Sequence, residues 1–219
     1  MIPVLDVKAG IEAENDRYAA EVVRFLKEHH SFLINLMASP GAGKTTLLAR
    51  LIDDLKSEWQ IGVIEADVDA DVDAQTVFAH GARAVQVHTG GSCHMDARMT
   101  LEGLKGFGED LPELIILENV GNLVCPAEFD VGASLKLMLL SVPEGDDKPL
   151  KYPLMFTVSE ALVISKIDTA PVFNFDITRL TGHVRALGNP MPIFPLSAKT
   201  GEGWEPFLDW LKEVLHENH

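Results

Sequence analysis

Cysteine and cation are what this chain has least of: two Cys, and 18 Lys plus Arg against 33 Asp plus Glu, in 219 residues. Two thiols cannot make a disulfide framework, so an apolar core must hold the fold. The formal charge of −15 argues against passive binding to duplex DNA or an anionic membrane, so neither is expected as a partner. Long apolar runs are also missing; none approaches the roughly 20 residues that span a bilayer. The first residues, Met1-Ile2-Pro3-Val4-Leu5-Asp6, lack the basic and apolar regions of a signal peptide. There is no internal repeat and no low-complexity linker. A soluble chain in a reducing cytoplasm is the expectation.

What is present is a globular composition, 47% hydrophobic, and a regular alternation of patterns. An amphipathic stretch over 16–28 predicts a helix, with Tyr18, Val22, Phe25 and Leu26 on one face. We expect a helical extension over residues 1–30 and a P-loop domain over 31–219. Short apolar runs predict buried strands at 32–37, 61–65, 84–87, 114–118, 135–141, 161–164 and 192–196. Helical patterns separate several of them, over 47–55, 95–105, 176–187 and 207–215. Apolar strands alternating with helices imply an α/β fold, its mostly parallel sheet covered by helices on both faces. Ligands of such folds bind beyond the carboxyl ends of the strands, which directs attention to the loops there.

The first of these loops carries chemistry. Ala38-Ser39-Pro40-Gly41-Ala42-Gly43-Lys44-Thr45-Thr46 supplies the second half of the pattern G-x-x-x-x-G-K-[ST], between a strand and a helix. Small residues let successive N–H groups close on a β-phosphate, and the helix N-terminus adds its positive dipole end. Lys44 is placed to reach the β- and γ-phosphates, and the Thr45 hydroxyl to complete a magnesium shell. Ala38 replaces the first glycine, so the backbone there must avoid positive φ.

Two later loops point to guanine. Ser165-Lys166-Ile167-Asp168 matches [NT]-K-x-D at its Lys and Asp positions. The Asp168 carboxylate can accept from guanine's ring N–H and exocyclic amine, and Lys166 can lie over the base. Ser165 is shorter than the usual Asn. Ser197-Ala198-Lys199 matches the S-A-K loop that supports the base from the other side. GTP is therefore expected over ATP.

Carboxylates for magnesium or for the attacking water come from Asp67 and from Glu118, which opens Glu118-Asn119-Val120-Gly121 where a γ-phosphate sensor D-x-x-G belongs. Asp67, Asp69, Asp71 and Asp73 form an acid-rich run, a pattern that is also common in solvated loops. Cys93, His94 and Cys125 follow strands; two thiolates and an imidazole suit zinc or nickel better than magnesium. Free cysteines are also common as small buried hydrophobes. Cys125 lies four residues beyond Gly121, so a phosphate-driven shift of that loop would reach the thiol.

The blocks 35–46, Cys93-His94-Met95-Asp96-Ala97, Glu118 to Pro126, Glu144 to Pro153 and Lys166-Ile167-Asp168 resemble the HypB family, accessory GTPases that deliver nickel to nickel-iron hydrogenase. The resemblance spans nearly the whole chain. It implies a SIMIBI-type G domain, a slow regulatory GTPase that forms a nucleotide-linked homodimer, with Cys93, His94 and Cys125 binding nickel or zinc at the dimer interface. It also implies a HypA-type metallochaperone and the hydrogenase large-subunit precursor as partners. Lys148 or Lys151 is implied to touch nucleotide across the dimer. The chain lacks the N-terminal cysteine cluster or His-rich tract of some relatives, so metal work falls to the three residues named. The alternatives are a nucleotide-stabilised metal carrier with incidental hydrolysis, and service to another nickel enzyme such as urease.

Overall fold

A computed structural model describes residues 7–67 and 79–218. Its centre is a seven-stranded sheet in which every pairing is parallel. The strands are β1 (Phe32–Ala38), β2 (Ile61–Asp67), β3 (Arg83–His88), β4 (Leu114–Glu118), β5 (Leu135–Ser141), β6 (Ala161–Ser165) and β7 (Ile193–Pro195), ordered β3-β2-β4-β1-β5-β6-β7. All seven answer to a predicted run.

The strand positions alternate between two layers, as a period of two requires. Ile34, Leu36 and Ala38 of β1 pack with Leu47, Leu48, Leu51 and Leu55 of α2 (Lys44–Leu55) and with Phe207, Leu211 and Leu215 of the C-terminal helix, Trp204–Asn218. On the opposite face Leu33 joins α1 (Val7–Glu28) and α3 (Ala97–Lys105), through Val22, Leu26, Leu101 and Leu104. Met37 joins a third cluster with Phe156, Leu180 and Val184, from the helices at Pro153–Val158 and Ile177–Ala186.

Helix α1 begins at Val7, well before the amphipathic stretch that predicted it. The α3 segment starts later than its pattern, because the Asp96 carboxylate caps it by accepting from the Met99 N–H at 2.7 Å. Asn15 secures α1 from its side: its Oδ1 accepts from the Ala97 N–H and its Nδ2 donates to the Asp130 carbonyl.

Trp204 is 1% exposed, donates through Nε1 to Asp54 Oδ2 at 2.7 Å, and carries the Arg50 guanidinium 4.4 Å over its ring. A Trp204→Ala variant is expected to lose about 3–5 kcal/mol of stability in urea unfolding; a loss below 1 kcal/mol would contradict this packing.

Candidate functional site

Parallel strands bring all their following loops to one edge, and every candidate residue lies on such a loop or at its rim. Ala38 ends β1 in extended backbone, fully buried and beside Leu139. The left-handed conformations fall instead on Gly41 (φ 72°) and Gly43 (φ 100°), so alanine is accommodated without strain. Ser39 and Pro40 lead into the turn, and Lys44, Thr45 and Thr46 form the first turn of α2.

Three loops converge on a cavity of about 260 Å³, walled by Ala42, Gly43 and Thr46, by Ser165, Lys166 and Asp168, and by Ser197, Ala198 and Lys199. Ser165, though short, reaches the phosphate loop: its buried Oγ donates to the Ala42 carbonyl at 2.7 Å. Lys166 donates from Nζ to the Gly41 carbonyl at 2.7 Å and so crosses the same loop. Its backbone is left-handed at φ 58°, a strained state for a residue with a side chain. Bonds on both sides hold it, with the Ile167 N–H donating to the Leu196 carbonyl and the Thr169 N–H to the Lys166 carbonyl. Asp168 stays exposed, in the short 3-10 turn Ile167–Thr169. The Ser197 side chain accepts from the Thr200 N–H, and Arg50 donates to the Ala198 carbonyl at 2.9 Å.

At the other end of the phosphate loop, Lys44 Nζ lies 3.8 Å from Glu118 Oε1, both side chains 11% exposed. Glu65, 2% exposed, is the register partner of Glu118 on the adjacent strand. Nothing in the motif search singled out Glu65; its signal is a lone charge in the apolar run Ile61-Gly62-Val63-Ile64. Asp67 closes β2; its side chain, and all of Asp69, Asp71 and Asp73, lie outside what the structure describes. Gly121 packs directly on the phosphate loop: a Cβ there would meet the Pro40 backbone at 2.9 Å.

Cys93, His94 and Cys125 converge. Their donor atoms all lie within 4.8 Å of one another, with Cys93 exposed and the other two half-buried. The Cys93 thiol donates to Cys125 Sγ at 2.7 Å, and His94 Nδ1 is 3.7 Å from Cys93 Sγ. The close contact with the Cys93 sulfur, which disfavours a second thiolate beside it, then burial, raise the Cys125 thiol above its ordinary pKa. Burial lowers that of His94, although Asp96 and Glu128 oppose it. The His94 ring stacks on Phe129, centroids 4.2 Å apart. Neutral imidazole is the ligating form, and a metal that displaces the thiol protons fits this donor set.

Lys148 lies on another rim. Its Nζ is 3.8 Å from Glu144 Oε2 and 5.2 Å over the Tyr152 ring. Asp146, buried, fixes this segment by accepting from the Asp176 N–H and from Arg179. Lys151 pairs with Asp147 at 2.6 Å. Neither lysine lines the cavity.

A Gly-Lys-Thr loop between a buried parallel strand and a helix, at the loop edge of the sheet, marks a P-loop nucleotide-binding protein. The family model for the CobW/HypB/UreG nucleotide-binding domain matches residues 32–195. The hydrogenase maturation factor HypB of Rhizobium leguminosarum bv. viciae is 41% identical over 95% of this chain and 70% of its own length. The hydrogenase/urease maturation factor HypB of Helicobacter pylori is 42% identical, over 95% and 87%. The crystal structure of HypB from Helicobacter pylori in complex with nickel aligns at a TM-score of 0.87 and 40% identity, covering 94% of this chain and 96% of that one. Within its class, then, this chain belongs to the HypB family. No described helix is long and apolar enough to cross a membrane.

Gly121→Ala should push the sensor loop off Pro40 and weaken binding of a fluorescent nucleoside triphosphate about 5- to 100-fold, the equivalent of roughly 1–3 kcal/mol of overpacking. Unchanged affinity would show that the loops tolerate separation.

Proposed function

We propose that this protein is a slow GTPase that delivers nickel to a nickel-iron hydrogenase precursor, with GTP state controlling its hold on the metal. One observation carries the reading: the loop that begins at Glu118, beside Lys44, and touches Pro40 through Gly121 ends at Cys125 of the thiol–imidazole cluster. The nickel complex of a HypB relative supports nickel as the cargo.

In this reading Ser39 to Thr46 cradle the phosphates, with backbone N–H groups and the start of α2 supplying fixed positive charge. Lys44 leaves Glu118 to take the β- and γ-phosphates. Asp168 accepts guanine's two donors, Lys166 covers the base, and Ser197, Ala198 and Lys199 close its other side. A magnesium ion, which would neutralise developing phosphate charge, would be held by Thr45, Asp67 and Glu118; the Glu118 carboxylate within 3.8 Å of Lys44 fits that duty. Asp67 or Glu118 would orient the attacking water. Cys93, His94 and Cys125 offer three donors, and the exposure of Cys93 leaves room for a fourth from solvent or a partner. That suits a homodimer joined through metal and nucleotide, with Lys148 reaching across, and transfer to or from a HypA-type metallochaperone in the cytoplasm.

The Helicobacter relative's double designation supports a second reading, in which a urease precursor also receives the metal.

Two measurements test the proposal. Asp168→Asn should lower the preference for GTP over ATP in a competition titration about 10- to 100-fold, as expected when a charge-assisted acceptor is lost; an unchanged preference refutes the assignment. Cys125→Ser should abolish stoichiometric nickel uptake in equilibrium dialysis while GTP binding persists. Full uptake by the variant would move the cargo site elsewhere.

A further inference from the structure

Asn119, only 1% exposed, hydrogen-bonds to three different segments. Its Oδ1 accepts from the Met95 N–H at 3.0 Å and from the Val120 N–H at 2.9 Å. Its Nδ2 donates at 3.1 Å to Oδ1 of Asn35, itself 1% exposed on β1. Its backbone N–H donates to the Leu36 carbonyl at 3.1 Å. One residue therefore holds the strand that feeds the phosphate loop, the start of the Gly121 loop, and the peptide next to His94. A second tie lies closer to solvent: Asn122 Nδ2 donates to the Cys93 carbonyl at 3.3 Å, and its Oδ1 accepts from the Val124 N–H at 2.9 Å.

Bonds made in a buried, low-dielectric site persist, because breaking one strands a polar group where water cannot reach it. A displacement entering at Pro40–Gly121 is thus passed on to the bonded segments. Without these ties, movement of the Gly121 loop would carry Cys125 alone and leave Cys93 and His94 behind.

We propose that Asn119 is a positioning residue that makes the Cys93–His94 segment follow the Val120–Cys125 loop, so that the three metal donors respond together to the filling of the phosphate loop. The inference rests on the reading of the cluster as a nickel site governed by GTP. It adds the route by which the second loop is governed, and it gives a purpose to the buried Asn35–Asn119 pair that no phosphate or base contact requires.

The test compares nickel affinity, by chelator competition, in the GDP form and in the form with a non-hydrolysable GTP analogue. Wild type, Asn119→Ala and Asn122→Ala are each measured, alongside their nucleotide affinities. The wild-type protein is expected to show a ratio of at least about fivefold between the two forms, the lower end of ordinary allosteric coupling. Asn119→Ala, which lets Cys125 move without Cys93 and His94, should raise the ratio at least about threefold above wild type while nucleotide affinities stay within about threefold; Asn122→Ala should raise it in part. A merely structural role would lower nickel or nucleotide affinity and keep the ratio, which would overturn the inference and leave the GTP-governed reading standing. A wild-type ratio of one would overturn that reading itself. If Asn119→Ala fails to fold by circular dichroism, Asn122→Ala decides: a raised ratio supports the tie, and an unchanged one overturns it.

Discussion

The parallel pairing of β1 with β4, in which Leu36 lies beside Glu118, sets the geometry on which the rest depends. The two strands leave the sheet side by side, β1 two residues beyond the end of β4. One leads into the Gly-rich loop before α2 and the other into the loop that ends at Cys125, and Gly121 is the residue whose lack of a side chain lets them touch. Burial of β1 on both faces and along both edges makes this pairing hard to shift, because a one-residue slip would turn every apolar side chain to the wrong layer. The alignment of the loops follows from the packing of the core.

Around that contact the site uses main-chain groups and short side chains far more than long charged ones. Ser165 and Lys166 both bond to carbonyls of the Gly-rich loop, so the loop after β6 is fastened to the one after β1. The left-handed Lys166 is held by its neighbours in the manner of a preorganised site, where local strain is offset by the surrounding bonds. Lys44 and Glu118, nearly buried, keep each other compensated, and the cost of burying either charge alone is avoided.

Much of this was visible in the sequence. The seven strands follow from apolar runs bounded by turn residues, and the phosphate loop from Gly43-Lys44-Thr45 between a strand and a helix. The cluster of Cys93, His94 and Cys125 was legible only as three residues of suitable chemistry on loops after strands. That they meet depends on β3 and β4 lying on either side of β2, a relation that spacing along the chain does not encode. Asn35, Glu65 and Asn119 were passed over for a related reason. Each is a single polar residue in or beside an apolar run, and its meaning comes from a partner distant in sequence: Asn119 for Asn35, and Glu118 for Glu65.

Helix α1 shows how the same architecture responds to damage at a distance. Val22 and Leu26 lie in the core with Leu33, Ile64 and Val131, the Ala19 carbonyl is pressed against Gly132, and Asn15 bonds to Ala97 and Asp130. A chain deprived of this helix would wet one face of its sheet and leave the polar groups at Ala97 and Asp130 without these partners. The residues flanking the thiol–imidazole cluster, 95–97 on one side and 129–131 on the other, would lose their common brace. Proteolytic trimming within α1 would therefore register first as loosened loops around the cluster, with the phosphate side, built on β1 and α2, the last to feel it.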